Sequence, residues 1–291
     1  MQYMEYGYYE MIREIEEYAE KYDFAEIFSA GESVEGRGLY VVRIGHGRKK
    51  LFVNAAHHAL EYITSAALMR FTGDFCRRVK SGEDMFGFSP AEFCGKISFY
   101  AMPMVNPDGV ELCVRGADME NAYHRNIIAQ TGIHNFSKVW QANINGVDLN
   151  HNYNAGWRSI TDAPAPTRFG GTCPESEPET RAVVNFVRNI DFDMVIALHS
   201  QGREIYYDFG DLTAARSAET GAKLAEAGGY TLAKPEGIAS FGGFKDWFIQ
   251  EFSREGFTVE IGFGKNPLPL SVLDAEYESV AKILLTAMQC I

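Results

Sequence analysis

His58 and Glu61 stand three residues apart directly after the apolar run Leu51-Phe52-Val53-Asn54-Ala55-Ala56, and His199 ends a second apolar run that begins at Met194. Imidazole nitrogen and carboxylate oxygen are typical ligands of hydrolytic zinc, which takes three protein ligands and keeps a fourth position for water. Two local ligands and one delivered by folding therefore suggest a split site for one zinc ion per chain. Such an ion lowers the pKa of its water toward about 7, which makes hydroxide available at neutral pH. The remaining need is a base for the proton, and Glu260, at the end of Phe257-Thr258-Val259, is the candidate. A carboxylate in an apolar strand needs a partner or a raised pKa, and a general base benefits from that tuning.

Taken singly, His58 and His199 also fit satisfied core histidines, and Glu61 an ordinary first-turn helix carboxylate. Only their joint placement favours a metal. His57, beside a ligand at a strand end, points the other way and reads as structural.

The elements that must position these groups follow from periodicity. Tyr8, Met11, Ile12, Ile15, Tyr18 and Ala19 recur at helical spacing and mark an opening amphipathic helix. Leu39 to Ile44 and Leu51 to Ala56 read as an antiparallel pair joined through Gly45-His46-Gly47. Helical spacing resumes at Ala59, so the His58/Glu61 pair falls where a strand hands over to a helix. Ile97 to Val105 reads as a buried strand ending in the turn Asn106-Pro107-Asp108-Gly109. Arg115 to Gly146 reads as a long irregular segment, a place for substrate contacts. Ser176 and Glu179 suggest a capping box for the next helix. Leu212 to Ala227 and Asp274 to Cys290 read as helices, with Met194 to Leu198 and Phe257 to Ile261 as strands. Strands interleaved with helices imply an α/β layered fold with a mixed sheet.

With 291 residues, 46% of them apolar and 13% aromatic, the chain can bury a large core. No linker, repeat or composition shift divides it, so residues 1–291 are expected to form a single catalytic domain. A formal charge of −12 argues against a nucleic-acid or anionic-membrane partner. The one basic cluster, Arg48-Lys49-Lys50, lies in the expected hairpin turn. Five widely spaced cysteines without a CxxC pair do not suggest a disulfide framework. The start lacks the charged and apolar regions of a signal peptide, and no run reaches the roughly 20 apolar residues of a membrane span, so the expected location is cytoplasmic.

His58-Ala59-Leu60-Glu61-Tyr62-Ile63-Thr64, Gly146-Val147-Asp148-Leu149-Asn150, His199-Ser200 and Thr258-Val259-Glu260 occur in the order seen in zinc carboxypeptidases of the carboxypeptidase A type, and the chain resembles that family along nearly its whole length. The stretches Gly31 to Arg37, Gly242 to Phe248 and Gly264 to Leu270 look like the branch of γ-D-glutamyl-L-diamino acid endopeptidases, which cut cell-wall peptides between D-glutamate and a diamino acid such as meso-diaminopimelate. The resemblance implies a twisted mixed sheet of about eight strands with helices on both sides. It assigns His58, Glu61 and His199 to zinc and Glu260 to the base. It makes Asp148 the partner that orients His58. It also implies a small muropeptide as the substrate.

The resemblance places Asn150 among the substrate-binding residues, and His151 where an arginine is expected. A guanidinium clamps a carboxylate bidentately, whereas a histidine is a weaker, pH-dependent donor, so the change favours the endopeptidase branch. Two family positions lack a counterpart. For the oxyanion arginine the nearby residues are Arg115, Arg125, Lys138 and Gln141, and the mobile tyrosine would fall near Ile238. Lys245-Asp246 and Arg158 read either as exposed charges or as contacts to a substrate carboxylate. Rival readings are an ordinary carboxypeptidase that releases C-terminal L-residues and a non-catalytic muropeptide-binding protein.

Overall fold

A computed structural model describes residues 5–234 and 241–291 of the chain. The opening amphipathic segment is α1 (Tyr8–Lys21), which buries Tyr8, Met11 and Ile15. It leads into β1 (Ala25–Glu32) and β2 (Gly38–Ile44), an antiparallel pair, and then β3 (Lys49–Ala55). A 3-10 turn over Ala59–Glu61 opens α2 (Tyr62–Ser81), which ends where Gly82 adopts a left-handed φ of 74°. Next come α3 (Pro90–Lys96), β4 (Ile97–Met102), α4 (Pro107–Arg115), α5 (Ala122–Thr131), a 3-10 turn at Leu149–His151, and α6 (Pro178–Ile190). The second half runs β5 (Met194–His199), β6 (Glu204–Tyr206), α7 (Ser217–Gly228), β7 (Thr231–Ala233), α8 (Phe244–Phe252), β8 (Glu255–Glu260) and α9 (Ser271–Cys290).

Among the described residues, eight strands form one mixed sheet in the order β1-β2-β4-β3-β5-β8-β6-β7. Its centre, β4-β3-β5-β8, is parallel, and β4 and β5 are buried at every position because helices cover both faces. The pleat divides the core. Leu51, Val53 and Ala55 face α1, α2, α7 and α9, while Phe52 faces α6 and α8, stacked on Phe192 at 5.0 Å. A smaller cluster around Leu60, Leu112, Ile127 and Trp140 lies under the loops at one end of the sheet. No helix among the described residues is long and apolar enough to cross a membrane.

Several local expectations change. β2 and β3 are not a hairpin: β4 lies between them, antiparallel to β2 and parallel to β3. The glycines between them serve close approach, since a Cβ on Gly47 would lie 1.8 Å from the Lys96 carbonyl carbon. Arg48-Lys49-Lys50 is correspondingly not a free turn, because Lys49 pairs with Asp193 at 2.8 Å and Lys50 Nζ donates to the Ile190 carbonyl. Asn106-Pro107-Asp108-Gly109 begins a helix rather than a turn; the Asn106 side chain accepts from Gly109 N, and Pro107 takes the first helical position. The segment from Arg115 to Gly146 contains α5, capped by Asn121. Ser176 does not cap α6: Glu177 is its N-cap residue, and the Ser176 hydroxyl donates to the Glu177 side chain.

Candidate metal centre and cleft

Three neighbouring parallel strands, β3, β5 and β8, end side by side at the site. His199 is the last residue of β5 and Glu260 the last of β8, and the two are register partners. β3 stops at Ala55, and Ala56 turns through φ 52° to release His57 and His58. This turn is pinned: Asn106 Nδ2 donates to the His57 and Ala142 carbonyls at 3.0 Å each, and Ala59 N donates to the Gln141 carbonyl at 2.9 Å.

The His58, Glu61 and His199 side chains converge, offering one ligand atom each within 4.8 Å of one another. His58 Nδ1 lies 2.9 Å from Glu61 Oε1, and His199 Nδ1 lies 3.0 Å from Glu61 Oε2. Zinc takes nitrogen and carboxylate ligands at about 2.0–2.2 Å, which requires donors this close. His199 Nε2 is buried without a partner among the described residues, so Nδ1 is the engaged nitrogen of that ring. Glu61 is further held by Ser200 N at 3.1 Å and Asn266 Nδ2 at 3.3 Å. Burial would raise the Glu61 pKa, but His58 and His199 outweigh it and hold the carboxyl at about 2. Its ionised oxygens make it an acceptor-only group, as a ligand must be.

The second ring nitrogen of His58, Nε2, lies 3.2 Å from Asp148 Oδ1. Burial penalises the Asp148 charge, yet His58 first, then His151 and the Arg168 backbone N–H, outweigh it and hold its carboxyl well below the usual range. Asp148 Oδ2 accepts from Arg168 N at 2.9 Å and from Thr167 Oγ1 at 3.1 Å. His57 is structural: its Nε2 pairs with the Tyr153 hydroxyl at 2.9 Å, and burial keeps the ring neutral, with pKa well below the ordinary value.

Glu260 lines the cleft and takes no side-chain hydrogen bond among the described residues. Burial, reinforced by the neighbouring Glu61 charge, pushes its pKa well above the ordinary carboxylate value. The cleft over the donors has a volume of about 620 Å³, and its walls include Gln141, His151, Arg168, Tyr206 and Asn266.

The family model of zinc carboxypeptidases matches residues 9–282. The chain belongs to the zinc carboxypeptidase family. Gamma-D-glutamyl-L-diamino acid endopeptidase 1 of Lysinibacillus sphaericus is 35% identical over 288 residues, spanning 97% of this chain and 72% of that protein. Bovine thrombin-activatable fibrinolysis inhibitor, solved with tick carboxypeptidase inhibitor, aligns at a TM-score of 0.72 and 21% identity over 97% of this chain and 94% of its own. The murein-tripeptide amidase MpaA of Escherichia coli O157 aligns at a TM-score of 0.57 and 22% identity, with coverages of 89% and 91%. These two structures bear on the fold alone. Membership makes the protein a zinc metallopeptidase, a hydrolase acting on peptides.

In this member of the family the remaining expected site residues are placed unequally. His151 lines the cleft, but its Nδ1 donates to the Phe241 carbonyl at 2.8 Å, which leaves only Nε2 for other contacts. Asn150 is not among the cleft-lining residues; its Oδ1 accepts from Phe244 N at the start of α8, which leaves the amide end for other contacts. Arg115 is committed to Glu111 and Glu10, and Arg125 to the Met119 and Glu120 carbonyls, so neither faces the metal centre. Lys138 and Gln141 do line the cleft. The Ile238 position lies outside the described residues.

Lys245 and Asp246 are a buried ion pair, not an exposed one, with Lys245 Nζ also donating to the Asp208 carbonyl at 2.7 Å. Arg158 stacks over Phe241 at 3.7 Å. Sequence reasoning missed Asn266, which bridges Glu61 and the Ser200 carbonyl, together with Thr167 and Arg168. Asn266 stood in a stretch noticed only for its likeness to relatives, and the Thr167 loop has no periodicity to signal it.

Proposed function

We propose that the chain hydrolyses the amide bond between the γ-carboxyl of D-glutamate and a diamino acid, meso-diaminopimelate, in peptidoglycan-derived peptides, with residues 1–291 acting as one catalytic domain in the cytoplasm. His58, Glu61 and His199 hold the zinc, and Asp148 fixes the His58 tautomer by accepting its Nε2 proton. When bound, zinc supplies Lewis acidity and a water of lowered pKa. Glu260 takes a proton from the attacking water and passes it to the departing amine. The Gln141 side chain, at the cleft wall, offers a neutral donor to the developing oxyanion where an arginine was expected.

The observation that carries the substrate reading is His151. Its Nδ1 is occupied by the Phe241 carbonyl, so only Nε2 is left for the cleft, and one imidazole nitrogen cannot form the bidentate clamp that a guanidinium gives an ordinary C-terminal carboxylate. The 35% identity to the Lysinibacillus sphaericus endopeptidase supports the same reading. Mass spectrometry of L-Ala-γ-D-Glu-meso-diaminopimelate incubated with zinc-loaded protein, beside an L-peptide ending in an aromatic or basic residue, tests it. Release of diaminopimelate with the L-peptide untouched is expected. Cleavage of the L-peptide alone would make the protein a conventional carboxypeptidase.

A further inference from the structure

Three cations line the cleft, Lys138, Arg168 and Lys265, and none forms an ion pair or a side-chain hydrogen bond among the described residues. Arg168 differs from the two lysines in how its backbone is held. It is a non-glycine residue at φ 69°, a conformation L residues rarely adopt. Its N donates to Asp148 Oδ2 at 2.9 Å, and its carbonyl accepts from Ile160 N at 3.2 Å. Two residues earlier, the Pro166 carbonyl accepts from Gln141 N and Ala142 N at 2.9 and 3.0 Å. The loop carrying Arg168 is thus hydrogen-bonded both to the carboxylate that orients a proposed zinc ligand and to the segment of the proposed oxyanion donor. This leaves an exposed guanidinium, without an ion pair among the described residues, on a fixed backbone at the cleft wall.

A γ-linked D-glutamyl residue keeps its α-carboxylate free, a short alkyl chain away from the carbonyl under attack. A substrate of this kind needs a cation near the scissile bond that an ordinary peptide does not. We propose that Arg168 recognises that α-carboxylate, so that the enzyme prefers γ-D-glutamyl peptides with the free acid over those carrying the α-amide. The planar fork of a guanidinium matches a carboxylate with two parallel hydrogen bonds and does not match a primary amide. The assignment deepens the muropeptide reading and rests on it for the identity of the substrate.

The test is calorimetry on zinc-loaded Glu260→Gln protein with three ligands: L-Ala-γ-D-Glu-meso-diaminopimelate, its D-glutamyl α-amide, and the form amidated on diaminopimelate. The free acid is expected to bind about 10- to 100-fold tighter than the D-glutamyl amide, the range of a charge-assisted hydrogen bond. Adding Arg168→Gln should erase that ratio, and Arg168→Lys should restore part of it, with zinc content and melting temperature unchanged. Equal weakening of all three ligands, no change, loss only of discrimination at diaminopimelate, or no binding at all overturns the proposal. Turnover by the unmutated protein is read separately. Binding with the expected preference but no cleavage would remove the hydrolytic reading and leave the Arg168 assignment standing.

Discussion

Nε2 of His58 lies 3.2 Å from Oδ1 of Asp148, while the other nitrogen of the same ring faces Glu61 at 2.9 Å. The two contacts fix which nitrogen carries the proton and which is left to a metal. Asp148→Asn keeps the shape of the side chain but removes its charge, and its single acceptor oxygen cannot serve both His58 Nε2 and the Arg168 N and Thr167 Oγ1 donors. Partners of this kind are worth about 10- to 100-fold in metal affinity. Titration against a competing chelator should show zinc affinity reduced by that factor, and an unchanged affinity would remove Asp148 from the orienting role.

Glu260→Gln should bind zinc in the usual stoichiometry and lose about 100- to 10,000-fold in kcat, the usual contribution of a positioned general base. A variant turning over at the original rate would show that the proton goes elsewhere. His199→Ala should behave differently, with zinc per chain, read by elemental analysis, falling as well as activity.

Glu179 gives a pH signature separate from catalysis. Its carboxyl accepts from Val34 N and Asn143 Nδ2, and burial, reinforced by the Asp108 charge, pushes it up to about 8 from 4.5. Between those values the unfolded chain has released a proton that the folded chain retains. Stability therefore falls as pH rises from about 4.5 to about 8, and Glu179 adds no further slope above that. Glu179→Gln should flatten the decline in melting temperature measured from pH 5 to pH 8, and an unaltered slope would mean that Glu179 is ionised in the folded protein.

Lys245→Met should leave Asp246 buried without its counter-charge. Removing one member of a buried pair costs about 3–5 kcal/mol. Denaturant unfolding should show a loss of that size, with much of it regained in the double variant Lys245→Met/Asp246→Leu. A loss below about 1 kcal/mol would place the pair with surface bridges.

The convergence of His58, Glu61 and His199 was legible because zinc chemistry restricts both residue type and placement, and because the apolar runs before His58 and His199 are long enough to identify as buried strands. The pairing of β2 was not. Local patterns show that Leu39 to Ile44 and Leu51 to Ala56 are strands, but the insertion of β4 between them is a contact across more than fifty residues of chain. Asn106-Pro107-Asp108-Gly109 was ambiguous for another reason: Asn and Pro open helices as readily as turns, and the outcome follows from the burial of Val110, Leu112 and Cys113 behind them. α5 was missed because it buries only His124, Ile127 and Ile128, too few positions to give a clear period. The positions of Thr167 and Arg168 depend on Asp148 reaching their backbone, which spacing does not encode.

His199 and Glu260 close adjacent parallel strands, and His58 follows the end of the next, so the proposed ligand and base positions are anchored to the centre of the buried sheet. The Gln141, Arg168 and Lys265 positions lie instead on connecting segments whose lengths and sequences the sheet does not dictate. A lineage built on this scaffold can therefore exchange those segments and change diet while its hydrolytic machinery is inherited intact.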